Sequence, residues 1–187
     1  MVVFLDRDGV INKDSANYIK NWSEFEFLPG SLEAIVRLNL NRFTVIIITN
    51  QSMINRKLAP EKDLFHLHFM MKQTIEKNGG KIKDIFFCPH TPEQGCTCRK
   101  PQPGMINEAK NIYNITLADS VMVGDSAKDI ECAQNAGCGK TVLVKTGNYS
   151  NAVSTLSGKH ISPTHITKDL YHAVSWIIEQ HDKSKII

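Results

Sequence analysis

The sequence predicts an α/β fold, a Rossmann-like parallel sheet with helices on both faces. Three observations carry that prediction. Short β-branched runs alternate with segments of helical periodicity. The runs are apolar at every position, as strands buried between two helix layers must be. Polar residues able to do chemistry follow several of the runs directly, at the edge where such sheets bind ligands.

Val2-Val3-Phe4-Leu5 reads as the first buried strand, ended by Asp6, Arg7, Asp8 and Gly9. From Ser31 to Asn41, Leu32, Ile35, Val36 and Leu38 recur at helical spacing after Pro29-Gly30, with Ser31 as a candidate cap. Val45 to Thr49 is the strongest strand pattern in the chain. Pro60 to Asn78 reads as a helix closed by Gly79-Gly80. A third strand follows at Ile85 to Phe87, then a helix from Pro103 to Tyr113 with its proline in the first turn. Val121 to Val123 is the fourth strand, Ala127 to Ala136 a helix and Thr141 to Val144 the fifth strand. Beyond Tyr149 the pattern weakens, apart from a helical stretch at Leu170 to Ile178.

A chain of 187 residues suits one domain spanning 1–187, with a core of ordinary size. Hydrophobic residues at 42% and charged residues at 22% exclude disordered, collagen-like and coiled-coil classes. No apolar run approaches the ~18 residues of a membrane span. The N-terminus lacks the basic region and cleavage site of a signal peptide. A net charge of +3 is too balanced to point to nucleic acid. The expectation is a cytoplasmic monomer with no membrane or nucleic-acid partner.

Asp6-Arg7-Asp8, Thr49-Asn50-Gln51, Cys88-Pro89-His90 and Gly124-Asp125-Ser126 each follow a strand, so all are expected at one sheet edge. Asp6 and Asp8 are two residues apart, a spacing that lets one carboxylate attack phosphorus while the other handles protons. Close carboxylates repel each other and a phosphate, so a cation is needed between them. Mg²⁺ suits oxygen ligands of this kind, with Asp125 as a further ligand. Lys100 offers a fixed ammonium and Thr49 a hydroxyl for the phosphate oxygens. Asp129 is open between a surface or supporting carboxylate and a metal ligand.

Cys88, His90, Cys96 and Cys98 place four soft or borderline ligands in one short loop, the number that tetrahedral Zn²⁺ takes. A closed set of that kind is structural. Cys132 and Cys138 lie in or after an apolar helix and read as packed thiols.

Four segments together resemble the motifs of the haloacid dehalogenase-like phosphatases: Phe4 to Asn12, Ile48 to Ser52, Cys98 to Pro101 and Val123 to Ser126. The resemblance implies Asp6 as nucleophile and Asp8 as general acid/base. It implies Mg²⁺ on Asp6, Asp125 and the backbone carbonyl of Asp8, and a structural Zn²⁺ on the Cys–His loop. Arg7, Asp14, Tyr18, Thr49, Asn50, Gln51, Ser52, Arg99, Lys100 and Ser126 are then expected around the substrate. Arg56 would meet a second phosphate. Larger members carry a cap domain, for which this chain has no insertion.

The branch it resembles removes the C7 phosphate of a heptose 1,7-bisphosphate, on the strength of Asn12 and Pro103-Gly104-Met105. The rival enzyme branch acts on histidinol phosphate, and a non-catalytic, zinc-stabilised binding protein is the alternative of another class. Two departures stand out. Met53 replaces a family glycine, which predicts a different loop path, because methionine does not adopt positive φ cheaply. Ser126 stands where many relatives have lysine, so a phosphate contact is lost or moves to Lys128.

Overall fold

Alternation along the central strands builds both faces of the sheet at once. A computed structural model describes residues 1–184. Its strands are β1 (Val2–Leu5), β2 (Thr44–Asn50), β3 (Asp84–Cys88), β4 (Val121–Gly124), β5 (Lys140–Val144) and β6 (His165–Thr167). Val3, Leu5, Val45, Ile47, Val121 and Val123 point to one face; Phe4, Ile46, Ile48 and Met122 point to the other. Every strand is parallel to its neighbours, in the order β3-β2-β1-β4-β5-β6. Phe4 sits in register with Ile46 on one side and Met122 on the other.

Helices α1 (Ser31–Leu40), α2 (Glu61–Lys77) and α6 (Leu170–Ser184) send Ile35, Leu38, Met71, Ile75, Val174 and Ile177 into the first face. Helices α3 (Gly104–Tyr113) and α4 (Ala127–Ala136) cover the second with Met105, Ile106, Ala109, Cys132 and Ala133. Helix α5 (Tyr149–Gly158) closes a smaller cluster against α4 through Ala152 and Leu156. The chain runs outward from β1 to β3 and then crosses back to β4 beside β1. That reversal opens a crevice at the carboxyl ends of β1 and β4, the position where open α/β sheets bind ligands.

One expectation changes. Ser31 is not the cap of α1: Gly30 holds that place at φ 78°, free of the steric cost a side chain would bring, and Ser31 is the first helical residue. Met53 takes no positive φ. It is fully buried, and the positive-φ residue of the segment is Lys57 at 59°. Both α5 and β6 lie in the stretch whose sequence pattern is weak. Between β1 and α1 the only helical piece is a short 3₁₀ turn at Trp22–Glu24.

Candidate active site

The carboxyl ends of β1, β2 and β4 open into a cleft of about 550 Å³. Asp6 and Asp8 arrive from β1, Thr49 to Ser52 from β2, and Asp125 and Ser126 from β4. Arg99 and Lys100 come from the loop before α3, and Asp14 and Tyr18 from the loop after β1. All of these line the cleft. Arg7 and Arg56 do not.

Asp6 anchors its backbone by donating N–H to the Val123 carbonyl at 3.0 Å, which ties β1 to β4 at the site. Its Oδ1 lies 2.9 Å from Lys100 Nζ, which also lies 2.6 Å from Asp129 Oδ1 and donates to the Ile48 carbonyl at 2.9 Å. Burial pushes the Asp6 carboxyl well above its usual range, against the pull of Lys100, and the charges of Asp129 and Asp125 push it further. Lys100 shows the converse: burial works against its charge, but Asp129 and Asp6 more than offset that, and the ammonium is held. Asn50 fixes this lysine from both sides, accepting from its N–H at 3.1 Å and donating to its carbonyl at 3.2 Å.

Asp125 accepts the Asn148 N–H at 2.7 Å. Gly9 and Gly147, at φ 78° and 66°, pass so close that a Cβ on either would run into Asp125 Oδ2. Burial, then the neighbouring Asp129, pushes its carboxyl up to about 7. Asp6, Asp125 and Asp129 each bring a carboxylate oxygen within 4.8 Å of the others, all buried. Three acids facing a single lysine leave negative charge that a hard divalent cation with oxygen ligands would neutralise, so the donor set fits Mg²⁺. Asp129 Oδ2 accepts the N–H and hydroxyl of Ser126 at 3.0 and 2.7 Å, while its buried Oδ1 pairs with the Lys100 charge but makes no hydrogen bond. Asp129 thus supports Lys100 and the start of α4, and its Oδ1 still faces the carboxylates of Asp6 and Asp125.

Asp8 turns away from this group. Arg7 grips it with Nε at 3.1 Å and Nη2 at 2.9 Å from each oxygen, while Asn12 Nδ2 donates at 2.9 Å and Gln51 Nε2 at 2.8 Å. Burial pushes the carboxyl up, but the Arg7 charge and these donors prevail and hold it below the ordinary range. Arg7 itself is wholly buried, so it acts on Asp8 and cannot reach a ligand in the cleft. Gln51 and Ser126 are likewise committed, since the Gln51 amide spans Asp8, Thr49 and Arg7 and the Ser126 hydroxyl caps α4. The Gln51 N–H is spent on the Cys88 carbonyl. Thr49 Oγ1 accepts from Gln51 at 2.8 Å, which leaves its own proton for a ligand. Arg56 is exposed and lies 4.0 Å from Glu93.

Beside the cleft, Cys88, His90, Cys96 and Cys98 converge. Their sulfurs lie 3.2 to 3.6 Å apart, and His90 Nδ1 lies 3.5 and 3.3 Å from the sulfurs of Cys88 and Cys98. A tetrahedron of sulfurs ~2.3 Å from a central Zn²⁺ has edges of ~3.8 Å, so donor types and spacing fit that ion. Arg99 donates to the His90 carbonyl at 2.9 Å, which ties the cleft wall to this loop. Cys132 is fully buried and Cys138 packs against the same core, as expected of thiols without chemistry.

Lys128, Asn148 and Lys159 also line the cleft. Lys128 was legible as an exposed cation near the fourth motif. Asn148 and Lys159 carried no signal, since the helix they flank, α5, was not expected.

This arrangement defines a haloacid dehalogenase-like phosphatase core. The HAD-hydrolase-like family profile matches residues 97–173. A D-glycero-beta-D-manno-heptose-1,7-bisphosphate 7-phosphatase of Bordetella bronchiseptica is 38% identical, over 96% of this chain and 98% of its own length. The enzyme of that name from Pseudomonas aeruginosa is 40% identical over 95% and 98%. The crystal structure of D,D-heptose 1,7-bisphosphate phosphatase from B. bronchiseptica, complexed with magnesium and phosphate, superposes with a TM-score of 0.90, at 38% identity over 96% and 98% of the two chains. The chain belongs to the D-glycero-D-manno-heptose 1,7-bisphosphate 7-phosphatase family. Among its described residues, no helix is long and apolar enough to cross a membrane.

Proposed function

We propose that this chain hydrolyses the C7 phosphate of D-glycero-D-manno-heptose 1,7-bisphosphate, releasing inorganic phosphate and a heptose 1-phosphate for the synthesis of nucleotide-activated heptose. The observation that carries this reading is Asp6 beside the buried Lys100, in a chain that matches heptose bisphosphatases over nearly its whole length. Asp6 and Asp125, with the backbone carbonyl of Asp8, would hold Mg²⁺, which neutralises the charge between carboxylates and phosphate when bound.

In the first half-reaction an Asp6 oxygen attacks phosphorus, the P–O7 bond breaks and Asp8 gives its proton to O7. In the second, water attacks the aspartyl-phosphate, Asp8 takes its proton, and Asp6 is released. The grip on Asp8 leaves a carboxylate in the free site. The entering phosphate brings negative charge beside it, and like charge raises a carboxyl pKa, so Asp8 gains its proton as substrate binds. Lys100 and the Thr49 hydroxyl hold the transferring group. The half-buried Arg99 and the exposed Lys128, both on the cleft wall, are placed for the phosphate that does not react. Zn²⁺ on Cys88, His90, Cys96 and Cys98 would brace the loop that delivers Arg99 and Lys100, with no open position for chemistry.

Phosphate release with Mg²⁺, measured side by side on the heptose bisphosphate and on histidinol phosphate, tests the reading. The heptose substrate should be favoured by about a hundredfold or more in kcat/KM. Equal turnover would remove the heptose assignment, and no turnover on any phosphomonoester would return the chain to a binding role.

A further inference from the structure

One buried polar group has no part in the chemistry described so far. His68 lies on α2 within the stripe Leu64, Leu67, Met71 and Ile75, which faces the protein interior. It is only 7% exposed and meets the Phe87 ring edge-on, with centroids 6.0 Å apart. An apolar side chain would fill such a place without the cost of burying polar nitrogens. The ring instead brings Nε2 to 3.2 Å from Arg7 Nη1. Guanidinium has donors and no acceptor, so Nε2 must accept and the ring proton must sit on Nδ1. Burial, with the Arg7 charge, pushes the imidazole down to about 3, which keeps the ring neutral and able to accept at neutral pH.

Arg7 spends its other donors on the reaction site. Nε and Nη2 hold Asp8, and Nη2 also donates to Gln51 Oε1 at 3.2 Å. The Gln51 amide, oriented in this way, donates to Asp8 at 2.8 Å and to Thr49 at 2.8 Å. Because a guanidinium is a rigid planar fork, fixing one nitrogen fixes the plane of the rest. We infer that His68 is a positioning residue for the phosphatase reaction: by accepting the Nη1–H of Arg7 it sets the guanidinium plane that orients Asp8 directly and, through the Gln51 amide, the Thr49 hydroxyl toward the phosphate. This inference rests on the reading of the cleft as a phosphomonoesterase site. His68 lies outside the cleft lining, so its loss should appear in kcat and not in KM.

The test compares His68→Phe, which keeps the bulk and loses the acceptor, with His68→Gln, whose amide oxygen can occupy the place of Nε2. Turnover of the heptose bisphosphate is followed with Mg²⁺ and the fold by circular dichroism. His68→Phe should lower kcat about 10- to 30-fold with KM within about twofold, while His68→Gln keeps kcat within about threefold of wild type. His68→Asn, too short to reach Arg7, should fall with His68→Phe and replaces it if the phenylalanine variant does not fold. Equal losses in the glutamine and acceptor-free variants, a change confined to KM, or no change at all would overturn the inference. Ring ¹⁵N shifts of the wild type give a check without substitution, expected to show a protonated Nδ1 and a bare Nε2 at neutral pH. A protonated Nε2 overturns the inference whatever the activity. A wild type without turnover would overturn the function reading, and this inference with it.

Discussion

The molecule carries two candidate metal groups a short way apart, and they differ in almost every physical respect. The oxygen group, Asp6, Asp125 and Asp129, is buried at the cleft floor and stands on strand ends and a helix start. The sulfur group is mostly half-exposed: Cys88 ends β3, while His90, Cys96 and Cys98 stand on the loop that follows, with a short 3₁₀ turn at Pro92–Gln94. The sheet would hold the first group in place with no ion present, at an electrostatic cost that shows in the raised carboxyls of Asp6 and Asp125. In the second only Cys88 is anchored in the core, while Cys96 and Cys98 rest against its edge from a loop, so an ion would fix the set. A site built for chemistry draws its rigidity from the fold, whereas a site built for structure lends rigidity to a loop.

The sharpest way to break that contrast is to remove the nucleophile. Asp6→Asn should lower phosphate release at least about a thousandfold while leaving the circular dichroism spectrum unchanged. Stability should not suffer, because the substitution removes one of several crowded negative charges. Substantial remaining turnover would mean that the oxygen group is not where phosphorus is attacked.

The sulfur group should respond in the opposite proportion. Wild-type protein purified without chelator should hold about one zinc per chain, and Cys96→Ser should lose it. The variant should melt about 5–10 °C lower, corresponding to about 2–3 kcal/mol, and lose about tenfold in kcat/KM as Arg99 and Lys100 loosen. The wild type lacking zinc, or an unchanged melting temperature in a variant that has lost it, would reduce the loop to a set of free thiols.

The same contrast governs what could be read from sequence. Strands buried on both faces are nearly continuous apolar runs, so β1, β2, β4 and β5 were legible to within a residue or two, and the acids at their ends followed. The four zinc-type ligands were legible because they are close in sequence. Helix α5 was not, since Tyr149–Gly158 is rich in serine, asparagine and threonine and buries only Ala152 and Leu156. Strand β6 is three residues long and half-exposed, too short for a period to show. The partners of Arg7, Asn50, Gln51 and Ser126 were not legible for a different reason. Each sits in a motif and near the cleft, but whether a polar atom faces a ligand or a neighbouring side chain depends on partners distant in the chain. His68, 61 residues from Arg7, looks like any polar interruption of a helix stripe until the fold brings the two together.

The smallest effect concerns the charge that the oxygen group stores. In metal-free protein Asp125 keeps its proton up to a pH of about 7, whereas in the unfolded chain it releases it near the ordinary value of 3.8. Between those limits the folded state binds more protons than the unfolded one, so this group's contribution to stability falls as pH rises from about 4 to about 7 and is level above that. Asp125→Asn removes the charge while keeping an oxygen to accept the Asn148 N–H. Without Mg²⁺ the variant should therefore gain on the wild type across this window, by about 3–5 °C at neutral pH, with the gain vanishing toward pH 4. Saturating Mg²⁺ should close the gap from the other side, because it stabilises the wild type through a ligand the variant has weakened. A melting difference that stays constant from about pH 4 to 8, with or without Mg²⁺, would show that Asp125 does not titrate in the fold as its burial beside Asp129 requires.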